Sequence, residues 1–117
     1  MSNNLVGDRA RAKELLEKGR TLYMDDQDAE AVLALQEAVR LDPQLAEAHF
    51  RLGLGYESLG KREEAEAEYK KAVETYKKYL EENDNDAEAH YQLAQTFANL
   101  AQYSDAIREY REATRLK

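Results

Sequence analysis

Residues 46–56 read Ala-Glu-Ala-His-Phe-Arg-Leu-Gly-Leu-Gly-Tyr, and the same opening, Ala-Glu-Ala-His, returns 41 residues later at 87–90. The likeness extends into the segments that follow each of these stretches. Six aligned positions carry identical or similar side chains: His49 with His90, Leu52 with Leu93, Gly53 with Ala94, Tyr56 with Phe97, Ala65 with Ala106, and Tyr69 with Tyr110. Self-similarity over a period of this size indicates an array of structural repeats.

The rest of the chain has the composition and spacing of helices. Its 117 residues are 43% hydrophobic and 35% charged, with only five glycines and one proline. Apolar residues recur three and four positions apart, which is the period of an amphipathic helix. The pattern predicts an all-α fold of six helices: one capped by Asp8, a second capped by Asp28 and ended by Asp42-Pro43, then Ala46 to about Leu59, about Arg62 to Asn83, Ala87 to about Leu100, and from Ser104 or Asp105 to the end.

The spacing resembles that of the tetratricopeptide repeat (TPR) family, whose 34-residue helix–turn–helix unit has the pattern W-x2-L-G-x2-Y…A-x3-F…P. The second and third units match it at His49-x2-Leu52-Gly53-x2-Tyr56 with Ala65-x3-Tyr69, and at His90-x2-Leu93-Ala94-x2-Phe97 with Ala106-x3-Tyr110. The first unit matches at Leu15, Gly19, Leu22, Ala31, Leu35 and Pro43. The resemblance implies an α-solenoid of three antiparallel helix pairs, with a lead-in and helix start at 1–11 and repeats at 12–45, 46–86 and 87–117.

One interval departs from the regular period. Ala12 to Ala46 spans 34 residues, whereas Ala46 to Ala87 spans 41, so the second repeat holds seven extra residues. Seven residues are close to two helical turns and leave the buried face of a helix nearly unrotated. We therefore predict that the second (B) helix of this repeat is lengthened by about two turns and runs continuously from about Arg62 to Asn83. The extra length either creates a notch that contacts a partner or a second copy, or is a tolerated insertion.

Charge and composition exclude several classes of function. A net charge of −7 argues against nucleic-acid binding, which requires Lys and Arg to neutralise phosphates. The chain contains no cysteine, so disulfides and thiolate chemistry are excluded. No apolar run approaches the roughly 20 residues that span a bilayer, and Met1 to Asp8 lacks the apolar core of a signal peptide. We expect no membrane insertion and a cytoplasmic location.

The two histidines are the residues that suggest metal binding or catalysis. His49 and His90 both occupy the position where the TPR family usually has tryptophan, and they are 41 residues apart. No carboxylate lies at ligand spacing beside either of them along the sequence. The sequence therefore predicts two packing histidines, no metal, no cofactor and no catalytic residue, which is the pattern of a protein that is not an enzyme.

The resemblance also implies a ligand-binding groove. In the TPR family the first helix of each pair lines a concave face, in which a peptide or helix lies. Position by position, the groove residues would be Lys13, Leu16, Arg20, Tyr23, Phe50, Arg51, Leu54, Glu57, Tyr91 and Gln95. Leu16, Phe50 and Tyr91 are equivalent positions and predict an apolar ladder along the groove. The alternative for Phe50 and Tyr91 is that they pack between neighbouring repeats.

The leading functional hypothesis is a scaffold or adaptor that binds a peptide or helix of another protein. Chaperone-type TPR domains hold a C-terminal carboxylate with Lys and Asn. In this chain the corresponding positions carry Leu16, Arg20, Leu54 and Glu88. This difference argues against a ligand that is recognised by its C-terminal carboxylate.

The alternative hypothesis, from a different class, is a self-assembly module. The last predicted helix carries Ile107, Tyr110 and Ala113 on one face, and terminal repeats usually need a polar capping surface. A second copy of the chain would cover this face, and the long helix of the second repeat would contribute to the contact.

Overall fold

The computed structural model describes residues 4–117, and this part of the chain forms six α-helices and no strand. The helices are α1 (Leu5–Met24), α2 (Asp28–Leu41), α3 (Ala46–Ser58), α4 (Arg62–Glu82), α5 (Ala87–Asn99) and α6 (Tyr103–Leu116). Each odd-numbered helix packs against the one that follows it, and the pairs stack through α2 on α3 and α4 on α5. The predicted all-α solenoid of three helix pairs is confirmed.

Three of the predicted helix starts are wrong. Asp28 was expected to cap the second helix, but it is the first residue of α2. We expected Asp8 to cap the first helix, but Asn4 does so, because its side-chain oxygen accepts a hydrogen bond from the N–H of Gly7 at 3.2 Å. Asp8 lies in the first turn instead, where a negative charge interacts favourably with the helix dipole. The last helix begins at Tyr103, one residue before the predicted range. The part of the predicted lead-in at residues 1–3 lies outside the described residues.

The turn within each helix pair has the same backbone conformation, although a different residue type stands at its centre. Its central residue is left-handed in all three pairs, with φ of 63° at Asp26, 76° at Gly60 and 61° at Ala101. Each turn is closed by the same type of backbone hydrogen bond: Gln27 to Leu22, Lys61 to Tyr56, and Gln102 to Phe97. Glycine adopts this conformation without strain, as predicted for Gly60, whereas Ala101 adopts it despite its Cβ.

Small residues let the paired helices approach each other closely. A Cβ atom placed on Gly19 would lie 2.6 Å from Cγ of Leu35, and one placed on Gly53 would lie 2.5 Å from Cε1 of Tyr69. Leu35 and Tyr69 are fully buried. The motif glycines therefore provide the space that these two large side chains fill.

Helix α4 is the longest helix of the stack, with 21 residues against 14 in α2 and 14 in α6. Tyr76 and Leu80, which lie beyond the repeat motif, are buried with 3% and 9% of their surface exposed. Tyr76 also donates a hydrogen bond to Oε1 of Gln92 in α5 at 2.7 Å. The second half of α4 thus supports the third helix pair.

We expect the backbone amides of residues 74–78 to exchange slowly with solvent. These residues lie in the middle of α4, so each amide donates to a helical carbonyl and opens only when the buried face of the helix separates. Hydrogen exchange followed by NMR or mass spectrometry measures this protection. Exchange there as fast as in the α4–α5 turn would mean that the helix is broken, and would contradict a continuous α4.

Candidate functional site

Four of the predicted groove residues line one cavity of about 270 Å³, which lies between α3, α5 and α6 and is called here the α3–α5 cavity. Its lining residues are Phe50, Arg51, Leu54, Gln95, Ala98, Asn99 and Tyr110. Apolar surface is therefore combined with a guanidinium and two amides. Such a mixture suits a peptide, because a few polar groups orient the ligand while apolar groups bury it.

The predicted apolar ladder is not an exposed surface. Leu16 and Phe50 have only 6% and 4% of their surface exposed, whereas Tyr91 is 45% exposed. The ring of Phe50 packs on Tyr69 with 6.2 Å between centroids, so neighbouring helices cover it. The prediction of an accessible ladder was wrong for Leu16 and Phe50, because helices of adjacent repeats lie against these positions.

Tyr91 borders a second cavity, of about 260 Å³, between α5 and α6. Its ring packs edge-on against Tyr110, with 5.6 Å between centroids. Because Tyr110 lines both cavities, the second cavity adjoins the α3–α5 cavity. Tyr91 thus packs against α6 within its own repeat and still keeps 45% of its surface exposed.

Several predicted groove residues already have partners within the chain. Nε of Arg51 lies 3.1 Å from Oε2 of Glu47, and Nη1 of Arg20 lies 3.8 Å from the same oxygen. The carboxylate of Glu57 accepts a hydrogen bond from the hydroxyl of Tyr69. These contacts hold the charged side chains in place beside the α3–α5 cavity, and they partly neutralise its one guanidinium.

The groove residues of the first repeat are not brought to the α3–α5 cavity. Lys13 is exposed on α1, and Tyr23 is half-buried near the end of the same helix. The hydroxyl of Ser58 donates a long hydrogen bond of 3.5 Å to that of Tyr23. Lys13, Leu16, Arg20 and Tyr23 therefore do not line the α3–α5 cavity, although Arg20 reaches the carboxylate of Glu47 that pairs with Arg51.

Three residues of the cavity wall, Ala98, Asn99 and Tyr110, are not among the ten groove residues given above. Ala98 follows Gln95 by three residues in α5. Residues at this spacing lie on the same face of a helix, so the spacing could have identified Ala98. Tyr110 was assigned to packing within the repeat and to the face of the last helix that a second copy would cover, but not to the groove. Whether Tyr110 also lines the cavity depends on the position of α6 relative to α5, which the sequence pattern does not specify.

Each histidine lies between a carboxylate and a carbonyl, and in both cases the carboxylate comes from the following helix. Nδ1 of His49 is 2.8 Å from Oε1 of Glu68, and its Nε2 is 2.8 Å from the carbonyl of Pro43. His90 repeats this arrangement at 2.7 Å from Glu109 and 3.0 Å from the carbonyl of Asp84. The signal was the spacing, since each glutamate follows its histidine by 19 residues.

For His90 the protonated ring matches this arrangement best, because only an imidazolium donates from both nitrogens. Burial would lower the pKa of His90, but the hydrogen bond and charge of Glu109, the carbonyl of Asp84 and the charge of Glu112 together raise it above its ordinary value. The fold therefore favours the charged form of His90. The histidine joins α5 to α6 and to the turn that precedes α5.

We expect the stability of the protein to fall as the pH rises through the raised pKa of His90. The contribution of this group is complete below the unfolded-state pKa of about 6.5 and is lost above the folded-state pKa. Urea unfolding measured from about pH 5.5 to 8.5 reports the slope, with the wild type compared against His90→Gln. The slope should be smaller in the variant. An unchanged slope would show that His90 is not the group responsible.

No group of three or more His, Cys, Asp or Glu residues within 4–117 is arranged to hold a metal ion. In the same part of the chain, no helix is both long enough and apolar enough to cross a membrane.

Comparisons with known proteins agree with this architecture. A sequence profile described as "Tetratricopeptide repeat" matches residues 44–117, and one described as "TPR repeat" matches residues 19–60. No curated protein matches the chain.

Solved structures similar to the chain include TPR domains of low sequence identity. The second TPR of Spaghetti (RPAP3), bound to the HSP90 peptide SRMEEVD, has a TM-score of 0.65 and 14% identity, covering 99% of this chain and 100% of that one. The Arabidopsis OM64 TPR domain has a TM-score of 0.60 and 21% identity, covering 94% and 85%. A crystal structure of MamA has a TM-score of 0.55 and 23% identity, covering 90% of this chain but only 57% of that one. At these identities the likeness concerns the fold.

Proposed function

Because the chain belongs to the tetratricopeptide repeat family, we propose that it is a non-enzymatic protein-interaction scaffold that binds a peptide or helix of another protein at the α3–α5 cavity. The observation that carries this proposal is the convergence of Phe50, Arg51, Leu54 and Gln95 on one cavity wall. Each of these residues was predicted from the resemblance to the TPR family, and they come from two different repeats.

The polar groups of the cavity support a peptide ligand. Gln95 forms no side-chain hydrogen bond with residues 4–117, and it is only partly buried. Its amide offers one donor group and one acceptor to a peptide backbone. Leu54 is partly buried beside it and offers apolar surface. A bound segment would cover both side chains at once.

A peptide recognised through an acidic C-terminus is not the ligand that we propose. The RPAP3 domain is described with the peptide SRMEEVD, but the clamp positions of this chain carry Leu16, Arg20, Leu54 and Glu88. The net charge of −7 also opposes an acidic ligand. Saturable binding of SRMEEVD in the micromolar range would contradict this part of the proposal.

We expect Leu54→Ala to weaken binding of peptides selected from a random displayed library by about 1–3 kcal/mol, as truncation of an interface anchor does. Fluorescence anisotropy with the selected peptides measures the affinity. The matched control is Leu33→Ala, because Leu33 is 66% exposed on α2 and lies away from the cavity. Equal affinity in both variants would refute the α3–α5 cavity as the binding site, and thermal melting would show whether either variant had unfolded.

A second candidate function is self-assembly through α6. Tyr103 and Ile107 on this helix are 64% and 51% exposed, and Ile107 borders a shallow cavity together with Tyr110. Helices α2 and α4 are covered by α3 and α5, whereas none of the helices described here covers the corresponding side of α6. A second copy placed on α6 would bury this apolar surface.

The mass of the protein tests this second candidate. Light scattering over a range of concentrations should give a mass that rises above 13.4 kDa for the wild type. For Ile107→Asp the mass should remain at 13.4 kDa at every concentration. The charged variant is expected to prevent association, because an aspartate in an apolar contact would have to lose its hydration. A wild-type mass that is monomeric at every concentration would exclude self-assembly.

A further inference from the structure

A further cavity, separate from the α3–α5 cavity, lies beside the additional length of α4. It has a volume of about 380 Å³ and is formed by the turn before α3, the second half of α4 and the start of α5. Its apolar wall includes Leu45, Ala46, Tyr76, Tyr79 and Ala89. We call it the α4 notch. The α4 notch shares no lining residue with the α3–α5 cavity.

The side-chain hydrogen bonds in the α4 notch lead, directly or through Gln92, to carboxylates. The hydroxyl of Tyr76 donates to Oε1 of Gln92 at 2.7 Å, and Nε2 of Gln92 donates to Glu88 at 3.2 Å. The hydroxyl of Tyr79 donates to Asp86 at 2.7 Å. Both tyrosine protons are therefore used within the chain. The groups left to a ligand are mainly acceptors, so a complementary ligand has to supply donors.

The charge of the α4 notch is also one-sided. Glu47, Asp86 and Glu88 line it, and of these only Glu47 forms an ion pair with a basic side chain of residues 4–117, namely with Arg51 at 3.1 Å and Arg20 at 3.8 Å. Asp86 and Glu88 have no basic partner among these residues, although Asp86 accepts hydrogen bonds from the hydroxyl of Tyr79 and the N–H of Ala89. A ligand that fits this arrangement carries a positive charge.

We propose that the α4 notch binds a lysine or arginine side chain from a basic segment of a protein partner. The alkyl stem would lie against Tyr79 and Leu45, and the cationic head would donate hydrogen bonds to Glu88 and Asp86. Long basic side chains bury an apolar stem while their charged end keeps polar partners, and hydrogen bonds between two charged groups are the stronger kind. This surface would contact a partner independently of the α3–α5 cavity.

The probe is the peptide acetyl-Ala-Ala-Arg-Ala-Ala-amide, and the matched control replaces its arginine by citrulline, which has the same shape without the charge. Titration of isotope-labelled protein followed by NMR measures both position and affinity. We expect shifts in the backbone amides of Tyr79, Glu88 and Ala89, with weaker binding of the citrulline peptide. A lysine peptide and a norleucine peptide provide the same comparison for the ammonium group.

Two protein variants separate a site from general attraction to an acidic chain. Glu88→Gln should reduce affinity for the arginine peptide by about two- to fivefold, which is the size of one exposed charge pair. Glu63→Gln removes the same charge at an exposed position at the start of α4, outside the notch, and should leave the affinity unchanged.

Three results would overturn the proposal: equal binding of the citrulline peptide, equal losses in Glu88→Gln and Glu63→Gln, or shifts confined to the α3–α5 cavity. Leu54→Ala should leave binding at the α4 notch intact. Failure at the α4 notch is therefore distinguishable from failure at the α3–α5 cavity.

Discussion

Replacing Tyr69 by alanine is expected to lower the free energy of unfolding by about 3–5 kcal/mol, the range measured when a large buried aromatic side chain is truncated. Tyr69 is fully buried, packs on Phe50 and fills the space left by Gly53. Its hydroxyl also donates to Glu57, which ties α4 to α3. A loss of this size is a large share of the stability of a domain this small.

Urea unfolding monitored by circular dichroism measures the effect. The matched control is Tyr103→Ala, which removes the same side chain from a position that is 64% exposed. The control should change stability by less than about 1 kcal/mol, as surface substitutions usually do. Similar losses in the two variants would mean that Tyr69 does not anchor the core.

The second large effect is expected at Gly53. Within a helix, exchange of glycine for alanine normally adds up to about 1 kcal/mol of stability. At this position the new Cβ would lie 2.5 Å from Cε1 of Tyr69, so the rigid, buried ring would have to move. Overpacking of this kind costs about 1–3 kcal/mol, so we expect Gly53→Ala to destabilise the protein.

A double-mutant cycle identifies the cause of that loss. In a Tyr69→Leu background the ring is absent, so Gly53→Ala should cost less or become stabilising. The free energy of unfolding of the four proteins, measured in urea, gives the interaction energy. Equal costs of Gly53→Ala in both backgrounds would show that contact with Tyr69 is not the reason.

The first repeat has an equivalent close approach between Gly19 and Leu35, whereas the third repeat does not carry a glycine there. Ala94 occupies the position equivalent to Gly53, opposite Tyr110 in place of Tyr69. Tyr110 is only half-buried and packs edge-on against Tyr91 at 5.6 Å, whereas Tyr69 is fully buried. Aligned positions of the repeat thus have unequal surroundings.

The number, type and order of the helices could be predicted from the sequence, because their determinants are local. Apolar residues three and four positions apart define each buried face, and Gly60 and Pro43 mark turns. The repeat motif also indicated which helices pair, since its small residues require a large neighbour. The 41-residue interval indicated a long helix after Arg62, and α4 has 21 residues.

The accessibility of the groove residues could not be predicted in the same way. Leu16, Phe50 and Tyr91 are equivalent in sequence, yet the first two are buried and the third is 45% exposed. Exposure depends on whether a helix of the neighbouring repeat lies over a position. A position inside the stack has such a neighbour, whereas a position in the last repeat of the stack does not. The sequence motif is the same in both places.

By itself, then, the sequence determined an array of three helix pairs and its membership of a binding family. Only the tertiary structure decided which side chains meet across helices. It placed Glu68 and Glu109 against the histidines, gave Ala101 the left-handed backbone that suits glycine, and joined Arg51 and Gln95 in one wall. The physical reason is that a helical period specifies the face on which a residue lies, whereas contacts and burial depend on the distance and register between helices, which the packing of the whole stack sets.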